Sequence, residues 1–214
     1  MSDFKTPKDI IAAIGKEQAE TPTAPANNSD HIRLHSNIPL RYKDAKFEAI
    51  TEQQEKLVEA FRDNFNGNNI TKVSDMLIMG SVGVGKTHIS IALLNKLIDG
   101  GIYCRYTTEY NLLELHLNGY NDRDSKKEFN KFKEVKLLLL DELGKRELTD
   151  NQITALEELL SYRYNEMLPT IILTNMNTSQ FKSFIGDRAT DRLKDNSVIR
   201  VILEGESLRG EKNE

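Results

Sequence analysis

The chain has very little cysteine: Cys104 is the only one among 214 residues. No disulfide can close within it and no cysteine-based zinc cluster can form. Cys104 sits in the apolar run Ile102-Tyr103-Cys104, which reads as a place for a small buried side chain. Long apolar runs are also missing. The longest fall far short of a bilayer span. The N-terminus, Met1-Ser2-Asp3-Phe4-Lys5, has no apolar core of the kind a signal peptide needs. Both absences point to a soluble cytoplasmic protein with no membrane partner. There is no excess of positive charge either. The formal net charge is −4, which argues against a surface coated for duplex DNA and leaves room for a local basic patch. His31 and His35 stand four apart, but no carboxylate or third ligand follows at a recognisable metal-binding spacing. Both read as surface or packing residues.

What is present is concentrated in residues 76–94. Met76-Leu77-Ile78-Met79 reads as a buried strand. Gly80-Ser81-Val82-Gly83-Val84-Gly85-Lys86-Thr87 follows at once and matches the phosphate-binding loop pattern without departure. Ile89, Ile91, Ala92, Leu93 and Leu94 then open a helix. Glycines let backbone N–H groups turn inward around phosphate oxygens, and the new helix points its positive end at them. Lys86 is expected to reach the β- and γ-phosphates of ATP, and the Thr87 hydroxyl to sit on Mg²⁺. A chance glycine-rich turn would lack the strand before and the helix after.

The second key stretch is Leu137-Leu138-Leu139-Leu140-Asp141-Glu142. Four leucines make a buried strand, and two carboxylates stand at its C-terminal end, where open α/β sheets bind ligands. Asp141 is placed to hold Mg²⁺, largely through water. Glu142 is placed to polarise the attacking water. Alone, such an ending is weak evidence; downstream of a phosphate loop it is strong, because both must converge on one Mg–nucleotide. Further strands are expected at residues 103–107, 170–174 and 198–203, and helices at 48–64, 86–99, about 110–117 and 149–166, with a short one around Phe181, Phe184 and Ile185. Strands alternating with helices predict an α/β fold, a mostly parallel sheet with helices on both faces.

Outside this core, Thr6-Pro7-Lys8-Asp9 resembles a capped helix start, and Ile10, Ile11, Ala13 and Ile14 give it a narrow apolar face. That helix either docks on a partner or folds back on the chain's own core. Residues 19–30, rich in Pro, Thr, Ala and Asn, read as a flexible linker. Residues 118–136 carry Lys126, Lys127, Lys131, Lys133 and Lys136 around Phe129 and Phe132. Lysines among aromatics could hold single-stranded nucleic acid. The plainer reading, a solvated helix with both phenylalanines facing the core, is preferred because they lie three apart and share a face.

Taken together, residues 38–42 (Ile-Pro-Leu-Arg-Tyr), 80–87, 140–144, 169–175, 186–193 and 206–209 resemble the DnaC/DnaI helicase-loader and IstB group of AAA+ ATPases, over about residues 35–210. The resemblance implies that Asn175 is the sensor asparagine that helps orient the attacking water. It implies that Arg192 is the arginine finger inserted into a neighbouring subunit's ATP site, with Arg188 as its companion, and that Arg209 is a second phosphate sensor. Surface ion pairs with Asp187 and Asp191 are the plainer reading of the first two arginines. About eleven residues follow Leu203, which leaves no room for the full helical lid domain of many AAA+ proteins. The implied organisation is a partner-docking helix over 1–18, a linker over 19–34, the AAA+ ATPase domain over 35–210 and a tail over 211–214. The implied function is an ATP-dependent loader that delivers a ring-shaped, DnaB-like replicative helicase to single-stranded DNA, docking through residues 6–15, with ATP sites shared between subunits. The alternatives are an IstB-like helper that assembles a transposase on DNA, and an adaptor that binds ATP without hydrolysing it. Intact Lys86, Asp141, Glu142 and Asn175 argue against the adaptor.

Overall fold

The computed structural model describes residues 26–46, 65–66, 69–70, 75–195, 199–205 and 207, with side chains at 29–46, 75–186, 199–205 and 207. Five strands form one parallel sheet: β3 (Met76–Gly80), β4 (Cys104–Thr108), β5 (Leu137–Leu143), β6 (Thr170–Thr174) and β7 (Ile199–Leu203), in the order β4-β5-β6-β3-β7. A short antiparallel pair, β1 (Phe65–Asn66) with β2 (Asn69–Ile70), forms a separate two-stranded sheet. The central strands are buried on both faces, which is why Leu137 to Leu140 and Ile171 to Leu173 are unbroken apolar runs rather than alternating ones. Side chains one residue apart go to opposite faces. Ile78, Leu139 and Ile171 pack under α2 (Lys86–Asp99), with Ile89, Leu94 and Ile98. Leu77, Leu138 and Ile172 pack under α3 (Glu109–Asn118), α4 (Arg123–Glu134), α5 (Asp150–Asn165) and α6 (Thr178–Asp195), through Leu112, Phe132, Leu159 and Phe181. The expected parallel sheet with helices on both faces is what forms.

Two local expectations change. Residues 26–34 are helix α1 (Ala26–Leu34), not flexible linker. Ile32 is buried in the core, and Arg33 donates to Asn95 Oδ1 at 2.8 Å and pairs with Asp99. A segment poor in apolar residues is therefore held mainly by polar bonds to α2. Asn95 continues the same seam, its amide donating to the carbonyls of Tyr42, Lys43 and Ala45. The short helix around Phe181 is longer than expected and breaks at Gly186 (φ 73°, ψ 170°) before continuing to Asp195. On α4, Phe132 is buried and Phe129 packs partly buried against the core, as the preferred reading of that helix expects. Lys127 and Lys131 are paired with Asp124 and Glu128, and Lys133 covers the Tyr162 ring. The expected helix over residues 48–64 and the partner-docking helix over 6–15 lie outside the described residues.

At the N-terminal edge of the sheet, Arg163 is buried and satisfied by neutral oxygens. Its guanidinium donates to the carbonyls of Phe132, Lys133, Val135 and Pro169 and to Thr170 Oγ1. Thr170 in turn donates its N–H to Asp75 Oδ1 at 2.7 Å. One planar fork thus ties the end of α4, the end of α5 and the start of β6. Burial pushes Asp75 up from 3.8 to about 6, against the Thr170 bond and the Arg163 charge that pull it down. Folding therefore favours the protonated acid. The stability this contributes is fully present below pH 4 and is lost as pH rises through 6, by about 3 kcal/mol at most. Urea midpoints taken between pH 4 and pH 7 are expected to fall more for the wild type than for Asp75→Asn, which keeps the acceptor oxygen and cannot titrate. Parallel profiles for the two proteins would show that Asp75 is ionised throughout.

Candidate functional site

The opposite edge of the sheet gathers the residues singled out in the sequence. The chain leaves β3 through residues 80–85 and enters α2 at Lys86. Gly80, Gly83 and Gly85 all have positive φ. At Gly83 (φ 89°) the need is steric as well: an added Cβ would overlap the Ser207 side chain, so the loop and the segment after β7 can lie together only with glycine there. Lys86 curls back over the loop. Its ammonium donates to Gly80 O and Ser81 O, both at 2.8 Å, and to Asn175 Oδ1 at 2.7 Å. Asn175 follows the last residue of β6, so Lys86 joins the ends of two adjacent strands.

The Thr87 hydroxyl donates to Asp141 Oδ2 at 2.9 Å. Asp141 is buried, and its other oxygen accepts the Glu142 N–H at 2.7 Å. Tyr106, on β4, donates its hydroxyl to Asp141 Oδ2 at 3.2 Å. Burial raises the Asp141 carboxyl above its ordinary value, while these three donors pull it down. Directly after Asp141 the strand bulges. Leu140 pairs with Ile172 but Leu143 pairs with Thr174, so two residues face one. Glu142 takes up the slack at φ 59° and turns its side chain to solvent, where Lys145 pairs with it at 2.9 Å.

Two further residues hold this loop, and the sequence motifs did not point to them. Glu109, buried at the start of α3, accepts from the Gly144 N–H at 2.6 Å and from Arg146 Nε at 3.4 Å. Gly144 has no Cβ because one would overlap Met176, the residue after Asn175. The Thr174 hydroxyl donates to Leu143 O at 2.7 Å. The loops carrying Glu142 and Asn175 are thereby locked together. The only sequence signal for Glu109 is a lone Glu after a strand, which many helices show at their first turn.

Of the residues expected at one site, residues 80–87, Asp141 and Asn175 are brought together, whereas Glu142 follows Asp141 in the chain but turns its side chain to solvent and Lys145. Arg188 and Arg192 lie on α6 beyond the Gly186 break, with their side chains outside the described set; Arg209 lies outside the described residues altogether. The arrangement fits a Mg–nucleotide. A glycine cradle at a helix N-terminus suits phosphate, and a hydroxyl bonded to a carboxylate supplies the hard oxygens that Mg²⁺ prefers.

A left-handed backbone costs an ordinary side chain about 1–2 kcal/mol and asparagine less. Comparing two substitutions that both remove the carboxylate isolates that strain. Glu142→Asn is expected to exceed Glu142→Val in unfolding free energy by about 1–2 kcal/mol in urea titrations. Equal stabilities would mean that the bulge relaxes.

The chain resembles known proteins. It is 30% identical over 141 residues to the uncharacterized protein YdaV of Escherichia coli K12, a match that covers 65% of this chain and 57% of that protein. It is 23% identical over 220 residues to the replicative helicase loader DnaC of Escherichia coli K12, covering 96% and 88% of the two chains. The crystal structure of the DnaC helicase loader superposes with a TM-score of 0.66 at 24% identity, covering 77% of this chain and 99% of that one. The fold is therefore that of AAA+ P-loop domains. The family model for IstB-like ATP binding proteins matches residues 36–214. That match takes in every strand of the sheet and all of the residues drawn together at its C-terminal edge, and the chain belongs to the IstB-like ATP binding protein family.

Proposed function

We propose that this chain is a Mg-dependent ATPase that loads a ring-shaped replicative helicase onto single-stranded DNA. The observation that carries the ATPase reading is the Thr87–Asp141 bond of 2.9 Å beside the Lys86–Asn175 bond of 2.7 Å, at the ends of three adjacent strands. Bound Mg–ATP supplies the phosphoryl group and the charge that polarises it. The backbone of residues 80–85 and the Lys86 ammonium bind the phosphates. Thr87 and Asp141 hold the metal ion. Glu142, on its bulge, takes a proton from the attacking water, and Asn175 orients that water. Arg192, with Arg188, reaches a neighbouring copy's site, and Arg209 contacts phosphate in its own. Likeness to DnaC over 96% of the chain supports the loader reading. The family's description supports the second reading, an IstB-like transposition helper.

Glu142→Gln keeps the loop and the metal-holding pair but cannot act as a base. It is expected to bind ATP as the wild type does and to turn over at least 10²-fold more slowly. In the same ATPase assay Arg192→Ala is expected to bind normally and hydrolyse poorly, and mixing it with Lys86→Ala restores part of the activity through one intact interface. Wild-type turnover by Glu142→Gln, or no recovery at any mixing ratio, would remove these assignments.

The loader reading rests on partner capture. The capped start and isoleucine spacing of residues 6–15 have the sequence pattern of a helix too short to stand alone in water. Its isoleucine face suits a groove on the helicase, with several copies in a ring adding avidity. Immobilised wild-type protein is expected to retain the purified replicative helicase of its host. The pair Ile10→Asp and Ile14→Asp is expected to lose the helicase while ATP binding and thermal stability stay unchanged. Retention of a transposase in place of the helicase would favour the transposition helper.

A further inference from the structure

Tyr106 stands beside the Asp141 carboxylate, yet no role above uses it. It lies in β4, next to β5, in register with Leu139. Its ring is 8% exposed and packs in the core with Ile78, Leu139 and Ile171. Its hydroxyl reaches out of that apolar setting to one acceptor, Asp141 Oδ2, the same oxygen that takes the Thr87 hydroxyl. A phenol O–H facing a carboxylate oxygen is the donor of that pair. The backbone on either side is also tied. The Tyr106 N–H donates to Ser36 O at 2.8 Å and Arg105 Nε donates to His35 O at 2.9 Å, so residues 35–36 cover the outer edge of β4. The ring therefore has little freedom to swing out.

The packing does not need the hydroxyl. Phenylalanine would fill the same space without a polar atom to satisfy in the core. The carboxylate does need it. Asp141 has one oxygen tied to its own strand through Glu142 N–H, and the other is held by Thr87 and Tyr106. Thr87 is mobile in role, because its oxygen must also face a cation. Tyr106 is the donor that stays put. We propose that Tyr106 is a positioning residue for the cation site: its hydroxyl fixes the Asp141 carboxylate in the rotamer that a divalent cation beside Thr87 requires. This rests on the reading of Thr87 and Asp141 as the cation-holding pair.

The test uses the full chain and a fluorescent ATP analogue, with Mg²⁺ titrated at fixed analogue. Losing a hydrogen bond to a charged acceptor is expected to raise the Mg²⁺ half-saturation point of Tyr106→Phe about tenfold. Binding of the analogue in EDTA should stay within about twofold of wild type, because the phosphate loop is untouched. Asp141→Asn should raise the same half-saturation point, and adding Tyr106→Phe to it should change nothing more, since Tyr106 acts only through that carboxylate. If Asp141→Asn shifts Mg²⁺ dependence and Tyr106→Phe does not, Tyr106 has no positioning role and the site reading stands. If neither shifts it, the cation pair itself is wrong and the proposal falls with it. Equal losses with and without Mg²⁺ in Tyr106→Phe would mean that the hydroxyl holds the fold rather than the carboxylate, and would overturn the proposal.

Discussion

The hydrogen bond from Thr87 to Asp141 is the constraint on which the rest of this structure depends. Thr87 belongs to the first turn of α2, launched from β3, and Asp141 belongs to β5. The two strands are not neighbours; β6 lies between them. The bond can close only if β3, β6 and β5 are parallel, in register, and end at nearly the same height. The pairing of Met79 with Thr174 and of Leu143 with Thr174 provides that common height. Helices must then return the chain across the sheet each time, and two helical layers follow from the connectivity of a parallel sheet.

The two edges of the sheet are built on opposite plans. At the N-terminal edge the polar groups around Arg163 hold the fold, with the part-buried carboxylate of Asp75 among them, raised to about 6 mainly by burial. Arg163 satisfies the loose carbonyls at the end of α4 and beyond α5, a task that suits a fork with five donors. At the C-terminal edge the same sheet stores unfavourable features: a glutamate in a left-handed conformation, a bulge, and buried carboxylates at Glu109 and Asp141 whose pKa values are raised mainly by burial. Such features persist only where the surroundings over-determine them. Here the surroundings are the Glu109–Gly144 bond, the Thr174–Leu143 bond and the seat of Met176 over Gly144.

The segment that precedes the sheet shows how composition misleads. Residues 26–34 contain few apolar side chains, so a reading based on burial alone expects a linker. What orders them is a polar seam on α2, through Arg33, Asn95 and Asp99. Asn95 then fastens the backbone of residues 42–45. Hydrogen bonds of this kind depend on partners fifty or more residues away, and no local window contains them. The same blindness affected Phe129 and Phe132 in a favourable direction: their spacing alone placed both on the core face, because helical periodicity is a local property.

The sequence by itself determined the order of strands and helices, the apolar runs that had to be buried, and the two strand endings that carry Lys86, Thr87, Asp141 and Glu142. These are properties of short windows, set by period, glycine placement and residue type. Only the tertiary structure decided what stands around them. Tyr106 and Glu109 look like any aromatic in a strand and any acid at a helix start. They acquire a role because β4 is laid beside β5 and brings their oxygens within 3.2 Å and 2.6 Å of groups in or after Asp141. The turn of Glu142 to φ 59° was likewise invisible, since it follows from fitting two residues opposite one across a strand pair. Register between distant strands is a long-range quantity, and it is what converts a pair of acidic letters into an oriented pair of carboxylates.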